Sequence, residues 1–311
     1  MVKSKTPLGK LLWAFNPFHD KPSALQSSVQ ALLRYSKQSG MKPEPVYVVS
    51  PAEVNVVLEF SIPAKERYRQ VSLARSRKVL KDLEAESLEP VILIEKSLSL
   101  SASTKLLVNY AQSQEAEAIL AGTASGKGLR GALLGSFAET LLYQARCPVV
   151  LIHPGAKIGK RVNRLLFISD LSPTSLEAFD DFCRWAAGLG AEVRLFHSIP
   201  RPFSWASFAV DALLGPDRMS EKQYLILTRK LRENDVKPFR EMAQRFGLRF
   251  SHQLDIGGKE VSDDALKAAK KYRADLIGLA GRSGPLKTRI LGSVTKSLLR
   301  STQLPIWIKH S

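Results

Sequence analysis

The chain has 311 residues, with 46 Lys and Arg against 29 Asp and Glu, which gives a formal net charge of +17. Its 44% of hydrophobic and 24% of charged residues exclude a chain that is disordered throughout, because enough apolar surface is present to offset the loss of chain entropy. No run of about 18 apolar residues occurs, which excludes a transmembrane helix. Two cysteines are too few for a disulfide framework. We therefore expect a cytoplasmic protein.

Five landmarks recur in the same order along the chain, which indicates a tandem duplication. A connector rich in Pro, Gly and Lys at 154–161 separates the copies, so we predict domains at 1–155 and 161–311. The offset between copies varies from 147 residues (Val46 to Val193) to 159 residues (Gly122 to Gly281), as expected when loop lengths differ. The paired landmarks are 11–16 and 165–170, 45–51 and 192–200, 118–122 and 275–281, 134–136 and 291–293, and 147–153 and 304–310.

Short, β-branched apolar runs alternate with helical patterns within each half. The pattern over 23–39 predicts a helix with one apolar face formed by Leu25, Val29, Leu32 and Leu33, and the pattern over 175–189 predicts its counterpart with Leu176, Phe179, Phe182 and Trp185. Further helix starts are predicted at 172–173 and 262–264. This alternation predicts an α/β fold in which two tandem, doubly wound, five-stranded parallel sheets carry helices on both faces.

The loop after the first strand is the first candidate for ligand binding, because ligands of open α/β sheets bind beyond the carboxyl ends of the strands. In the second half this loop contains Asp170, whose carboxylate could accept hydrogen bonds from ribose hydroxyls or an adenine amine. An Asp at this position could equally form an Asx turn or a helix cap. The first half has Asn16 at the matching position, which can donate and accept hydrogen bonds but lacks the charge.

A glycine-rich turn after the fourth strand is the second candidate. Glycine allows positive φ and close approach of the backbone to an anion, so the amides of such a turn and of the following helix start could hold phosphate. The alternative is a turn that only changes the direction of the chain. The candidates in the second half are Gly281, Arg282, Gly284, Gly292 and Ser293, and those in the first half are Gly122, Gly126, Gly135 and Ser136.

Two generic nucleotide motifs occur in the first half, and neither has the context that its chemistry needs. Residues 126–131 fit G-x-G-x-x-G, but they follow the fourth strand and no acidic residue stands about 20 residues further on. Residues 122–128 are similar to a P-loop, but the segment is one residue too short. In addition, Gly128 stands where a P-loop has the Ser or Thr that binds magnesium.

The duplication, the glycine turn, the Gly-Ser helix start and the apolar strand after Cys147 together resemble a tandem universal stress protein. The fingerprint of that family is G-x2-G-x9-G-[S/T] with an Asp after the first strand, and members that keep both bind ATP or AMP in an adenine-nucleotide α-hydrolase-like domain. The resemblance implies a nucleotide site at Asp170, Gly281, Arg282, Gly284, Gly292 and Ser293.

Both halves depart from the fingerprint of the family. The second half keeps Asp170 and the spacing from Gly281 to Gly284, but only seven residues separate Gly284 from Gly292. The first half has three residues between its first two glycines and eight before the third, and it lacks the Asp. We therefore expect the second half to bind the nucleotide and the first half to hold a degenerate site at Asn16, Gly122, Gly126, Gly135 and Ser136.

The resemblance also implies pairing through the last strand of each domain, because members of the family pair in this way. The strands at 149–152 and 305–308 are apolar edge candidates, and exposed edges favour pairing. We expect the two halves to form an intramolecular pseudo-dimer, and the chain to associate further into a homo-oligomer.

These observations predict a non-catalytic stress-response protein that binds ATP or AMP, without a metal and with slow hydrolysis at most, since no general base is evident at the loop. An enzyme of the neighbouring α-hydrolase-like group would carry a Ser-Gly-Gly-x-Asp-Ser or His-x-Gly-His motif, and neither occurs. The alternative is a nucleotide-free scaffold whose basic surface binds nucleic acid or an acidic protein. The apolar insertion at 201–236 is either a lid over its own domain or a patch that meets a partner.

Overall fold

The computed structural model describes residues 9–49, 62–97, 99–125, 132–133, 136–199, 221–257, 260–281 and 292–310. Strands and helices alternate through these ranges in both halves of the chain, which confirms the predicted α/β class. Residues 201–220 of the predicted apolar insertion lie outside the described residues, so both interpretations of that segment stay predictions.

The first half contains seven strands and four helices within the described ranges. The strands are β1 (Lys10–Ala14), β2 (Lys42–Val49), β3 (Val91–Ile94), β4 (Ala116–Gly122), β5 (Ala124–Ser125), β6 (Ala132–Leu133) and β7 (Val149–Ile152). The helices are α1 (Pro22–Ser39), α2 (Ile62–Asp82), α3 (Leu100–Ser113) and α4 (Ser136–Gln144). Strands β5 and β6 form a separate two-stranded antiparallel sheet.

The second half contains five strands and five helices within the described ranges. The strands are β8 (Arg164–Ile168), β9 (Glu192–Ile199), β10 (Phe250–Ile256), β11 (Leu276–Gly281) and β12 (Ile306–His310). The helices are α5 (Pro173–Leu189), α6 (Glu221–Asp235), α7 (Lys237–Arg245), α8 (Val261–Tyr272) and α9 (Ser293–Ser301).

Ten of the strands form one continuous sheet in the order β10-β9-β8-β11-β12-β7-β4-β1-β2-β3. Within this sheet, the strand pairs inside each half are all parallel, which confirms two five-stranded parallel sheets. The halves join where β12 pairs antiparallel with β7, with Trp307 opposite Val150. The predicted pseudo-dimer through the last strand of each half is therefore confirmed.

Because β7 and β12 pair antiparallel, the strands of the two halves run in opposite directions. The carboxyl ends of the strands in one half therefore lie at the same end of the sheet as the amino ends of the strands in the other half. Ligands of parallel sheets bind at the carboxyl ends of the strands. The two candidate sites therefore face away from each other, one at each edge.

The sheet separates two hydrophobic cores, and each core extends through both halves. One face is covered by α1, α2, α5 and α7, and the other by α3, α4, α8 and α9. At the junction of the halves, Trp307 is fully buried with its ring centroid 5.1 Å from that of Phe182. Gly278 of β11 leaves room for the ring of Phe182, because a Cβ atom at this position would lie 2.2 Å from that ring.

The predicted helix starts and apolar faces agree with the structure in part. Ser172 is the N-cap of α5, and its hydroxyl accepts a hydrogen bond from the amide of Ser175 at 3.2 Å, as the start at 172–173 predicts. The start predicted at 262–264 lies in the first turn of α8, which begins one residue earlier, at Val261. Leu33 was expected on the buried face of α1, but it is 36% exposed, because Leu32 already occupies the position that faces the sheet.

Helices α1 and α5 also connect the halves directly. The Gln38 amide nitrogen donates hydrogen bonds to the carbonyl oxygens of Val162 and Leu189 at 2.6 and 2.5 Å, and its oxygen accepts one from the Val162 amide at 2.9 Å. Next to this contact, Tyr35 packs edge-on against Trp185 with ring centroids 5.6 Å apart.

Two tyrosines that pack in the cores, Tyr35 fully buried and Tyr110 partly buried, provide a test of this packing. The hydroxyl of Tyr35 is buried and has no hydrogen-bond partner among the described residues, whereas the hydroxyl of Tyr110 donates to Glu44 at 2.7 Å. We expect Tyr35→Phe to leave the free energy of unfolding unchanged or raise it slightly, because it removes an unpaired buried polar group. Tyr110→Phe should lower it by about 1–3 kcal/mol, because Glu44 loses a donor. Urea denaturation measures both values, and a larger loss for Tyr35→Phe than for Tyr110→Phe would contradict the packing described.

Candidate functional site

A cavity of about 370 Å³ lies at the carboxyl ends of the strands in the second half. This volume falls within the range of about 300–1,000 Å³ that is typical of small-molecule sites. Asp170, Gly292 and Ser293 all line it, so three of the predicted site residues surround one space. The cavity wall also includes His197, Ser198, Leu279 and Thr295.

The loop that holds Asp170 is fixed by a chain of short hydrogen bonds. One carboxylate oxygen of Asp170 accepts from the amide and the hydroxyl of Ser172 at 3.1 and 2.6 Å. The preceding hydroxyl of Ser169 accepts from the amide of Leu171 at 2.9 Å. Leu171 has a φ of 63°, a left-handed conformation that is uncommon for a leucine. The carboxylate of Asp170 therefore forms an Asx-type turn, as one interpretation of the sequence predicts, and it also lines the cavity, as the ligand-binding interpretation requires.

The first turn of α9 forms the opposite wall of the cavity. Residues 292–295 all line the cavity, and Gly292 is the N-cap of the helix. Gly292 has no side chain, so the N-cap residue itself supplies no side-chain acceptor to the first backbone amides of the helix. Helix N-termini with such amides favour anions, especially phosphate.

Gly281 ends β11 and is not among the residues that line the cavity. A Cβ atom at this position would lie 2.5 Å from the Nε2 atom of His310, so the glycine makes room for the imidazole ring. Burial lowers the pKa of His310 below the usual histidine value. The structure therefore gives Gly281 a packing role, and its role in ligand binding stays a prediction.

His197 is a cavity residue that sequence reasoning missed. Its Nδ1 atom lies 2.9 Å from the carbonyl oxygen of Ser169, and a carbonyl only accepts, so Nδ1 bears the proton. Burial lowers the pKa of this imidazole, which keeps it neutral and leaves Nε2 as an acceptor. Nε2 is buried and has no hydrogen-bond partner within the described ranges. The sequence signal was its position at the end of a strand, two residues before Ile199.

The first half has a smaller cavity of about 260 Å³ at the equivalent place. Asn16 and Gly122 line it, together with the aromatic residues Phe15, Tyr47 and Phe137. Ser136 begins α4 and is exposed, but it is not among the lining residues. Two of the three predicted residues that the structure describes here are therefore brought together.

The strand register explains why the two cavities differ. Ala14 pairs with Val46, and Ile168 pairs with Phe196, so Phe15 corresponds to Ser169 and Tyr47 to His197. The ring centroids of Phe15 and Tyr47 are 6.4 Å apart, and Phe15 also stacks on Trp13 at 4.6 Å. Aromatic rings in the first half thus stand where the second half has a hydroxyl and an imidazole.

The loop of Asn16 also has a different conformation from that of Asp170. The side-chain oxygen of Asn16 accepts hydrogen bonds from the amides of Phe18 and His19 at 3.0 and 3.2 Å. The residue after Asn16 is Pro17, whose ring fixes φ near −65° and excludes the left-handed conformation of Leu171. The first-half loop therefore cannot copy the geometry of the second.

Four predicted site residues, Arg282, Gly284, Gly126 and Gly135, lie outside the described residues, so their roles stay predictions. Across the ranges that the structure does describe, no three metal-ligating side chains converge on one point. In the same ranges, none of the helices combines the length and the apolar character needed to cross a bilayer.

Comparison with known proteins gives the same picture for the whole chain. The sequence profile described as the universal stress protein family matches residues 18–153 and again 161–310. The crystal structure of a universal stress protein from Archaeoglobus fulgidus superimposes with a TM-score of 0.62 at 15% identity, covering 97% of this chain and 98% of the other. A functionally unknown protein from Pseudomonas aeruginosa superimposes with a TM-score of 0.57 at 13% identity, covering 97% and 92%. No curated protein matched the sequence significantly.

The contact between Gly281 and His310 can be tested by adding one methyl group. We expect Gly281→Ala to lower the free energy of unfolding by about 1–3 kcal/mol, because the new Cβ would overlap a buried ring. Gly122→Ala is the matched control, since its Cβ would lie 3.7 Å from the hydroxyl of Ser28, an ordinary contact. Denaturant titrations of both variants measure the difference, and equal stability would contradict the close approach.

The buried imidazole of His197 predicts a pH dependence of stability. Its pKa is lowered in the folded protein, so the unfolded chain takes up a proton as the pH falls through about 6.5 while the folded protein resists it. We expect the melting temperature to fall over this range, and to fall less steeply in His197→Gln. Thermal melts between about pH 8 and 5 measure both slopes, and equal slopes would show that His197 does not contribute.

Proposed function

Because this chain belongs to the universal stress protein family, we propose that it binds an adenine nucleotide, ATP or AMP, in the second-half cavity. The proposal depends on one observation, which is that Asp170 and the first turn of α9 line the same cavity. A carboxylate that accepts hydrogen bonds and a helix N-terminus that attracts phosphate are the two recognition elements that an adenosine phosphate requires.

The side chains of the cavity indicate how each part of the nucleotide would bind. The phosphates would lie at residues 292–295, where the amides of the first turn and the Ser293 hydroxyl supply donors. The adenosine would lie at the Asp170 side, where the carboxylate could accept from ribose hydroxyls or from the adenine amine. The positive charge of Arg282 completes the predicted phosphate site.

The described cavity wall favours binding over catalysis. Asp170 is the single carboxylate among the described lining residues, and it already holds Ser172. The one imidazole among them, His197, has its proton on Nδ1, and its acceptor atom Nε2 is buried away from solvent. A general base for hydrolysis would have to reach an attacking water. We therefore propose that any ATP hydrolysis is slow.

The first half would serve as a scaffold rather than a second nucleotide site. Its cavity is smaller, three aromatic residues line it, and Asn16 stands where the second half has Asp170. The carboxylate that does line this cavity, Asp20, accepts a hydrogen bond from the Asn16 amide at 2.7 Å. The cytoplasmic location, the association into a homo-oligomer and the alternative of a nucleotide-free scaffold stay predictions.

Isothermal titration with AMP and ATP tests the proposal. We expect one bound nucleotide per chain and an affinity that falls about fivefold in Asp170→Asn, because a charged acceptor binds roughly 1 kcal/mol more strongly than a neutral one. This variant keeps an acceptor for Ser172, so the loop is retained. Asn16→Ala is the matched control in the first half and should leave the affinity unchanged. Absence of heat with both nucleotides, or an unchanged affinity in Asp170→Asn, would overturn the proposal.

A further inference from the structure

A third cavity, of about 280 Å³, lies at the junction of the two halves and shares no residue with either candidate site. Four cations line it, two from each side of the junction. Arg34 and Lys37 belong to α1, and Lys160 and Arg161 lie in the connector before β8. We call this cavity the junction groove.

No acidic side chain in the described part of the chain neutralises the cations of the junction groove. None of Arg34, Lys37, Lys160 and Arg161 forms an ion pair with any described residue, and the described lining of the groove contains no acidic side chain. Cations that share a small concave space repel one another and focus a positive potential. An anion in the groove would relieve this repulsion.

Hydrogen bonds of Gln38 hold the elements of the groove together. The Gln38 amide donates to the carbonyl oxygens of Leu189 and Val162. The Val162 amide donates back to the Gln38 oxygen at 2.9 Å. This network joins α1, the end of α5 and the connector, and therefore keeps the two elements that carry the four cations next to each other.

We propose that the junction groove binds a linear oligophosphate, a small anion with two or more linked phosphate groups. Arginine presents several N–H donors in a planar fork that matches phosphate oxygens, and lysine adds a compact charge. Four cations from two separate elements match a chain of phosphates better than one isolated group. The volume of about 280 Å³ limits the ligand to a small molecule. This inference does not depend on the proposed nucleotide site.

Titration of the full chain with tripolyphosphate, in magnesium-free buffer and with saturating AMP, tests the inference. We expect one bound tripolyphosphate per chain, and an affinity that falls about tenfold or more in the double variant Arg34→Gln, Lys160→Gln. The affinity of the original chain should also fall more steeply with added salt than that of the variant. Thermal melting of the variant shows whether it remains folded.

The matched control is Lys230→Gln, Arg240→Gln, which removes the same charge from exposed positions on α6 and α7. It should bind tripolyphosphate as the original chain does. Equal losses in both double variants would show a general charge effect and overturn the inference, as would displacement of tripolyphosphate by AMP. Citrate that binds as tightly as tripolyphosphate would refute the phosphate specificity. If AMP binds nowhere while tripolyphosphate binds at the groove, the nucleotide proposal fails and this inference stands.

Discussion

The antiparallel pairing of β7 with β12 is the interaction on which the rest of the structure depends. Without it, β7 and β12, whose apolar side chains are buried in the structure, would each be the unpaired edge strand of a five-stranded sheet. With it, both hydrophobic cores continue from one half into the other, and Trp307 becomes part of a shared interior. The same pairing directs the carboxyl ends of the two parallel sheets to opposite edges. Each site therefore has its own surroundings, and a change in one does not disturb the other directly.

The two halves show how one backbone plan gives two different cavities. Where the second half has Ser169 and His197, the first has Phe15 and Tyr47, whose rings join an aromatic cluster with Trp13. A hydroxyl and a neutral imidazole offer hydrogen bonds to a ligand, whereas aromatic rings fill the space and stabilise the core. The duplicated fold thus places different side chains at the same two positions of its two cavities.

The sequence predicted the architecture because the architecture repeats simple patterns. Apolar β-branched runs predicted the strands, and their occurrence in both halves predicted two sheets that pair through the last strand of each. The site was harder to predict, because adjacency across a sheet edge depends on strand register and loop conformation. The sequence indicated Asp170 and Ser293, but the packing of Gly281 on His310 could not be read from it, and the position of His197 near a strand end did not by itself show that the imidazole lines the cavity. The left-handed Leu171 was equally hidden, because no glycine marks that turn.

Fusion of the halves into one polypeptide has a consequence for assembly. Two separate domains that pair through their last strands would dissociate on dilution, but here the partner of β7 is always supplied by the same molecule. The effective concentration of one half at the other is fixed by the connector and is independent of how much protein is present. The stoichiometry of this pair is therefore constant. A larger assembly has to form through a different surface, because β7 and β12 already pair with each other.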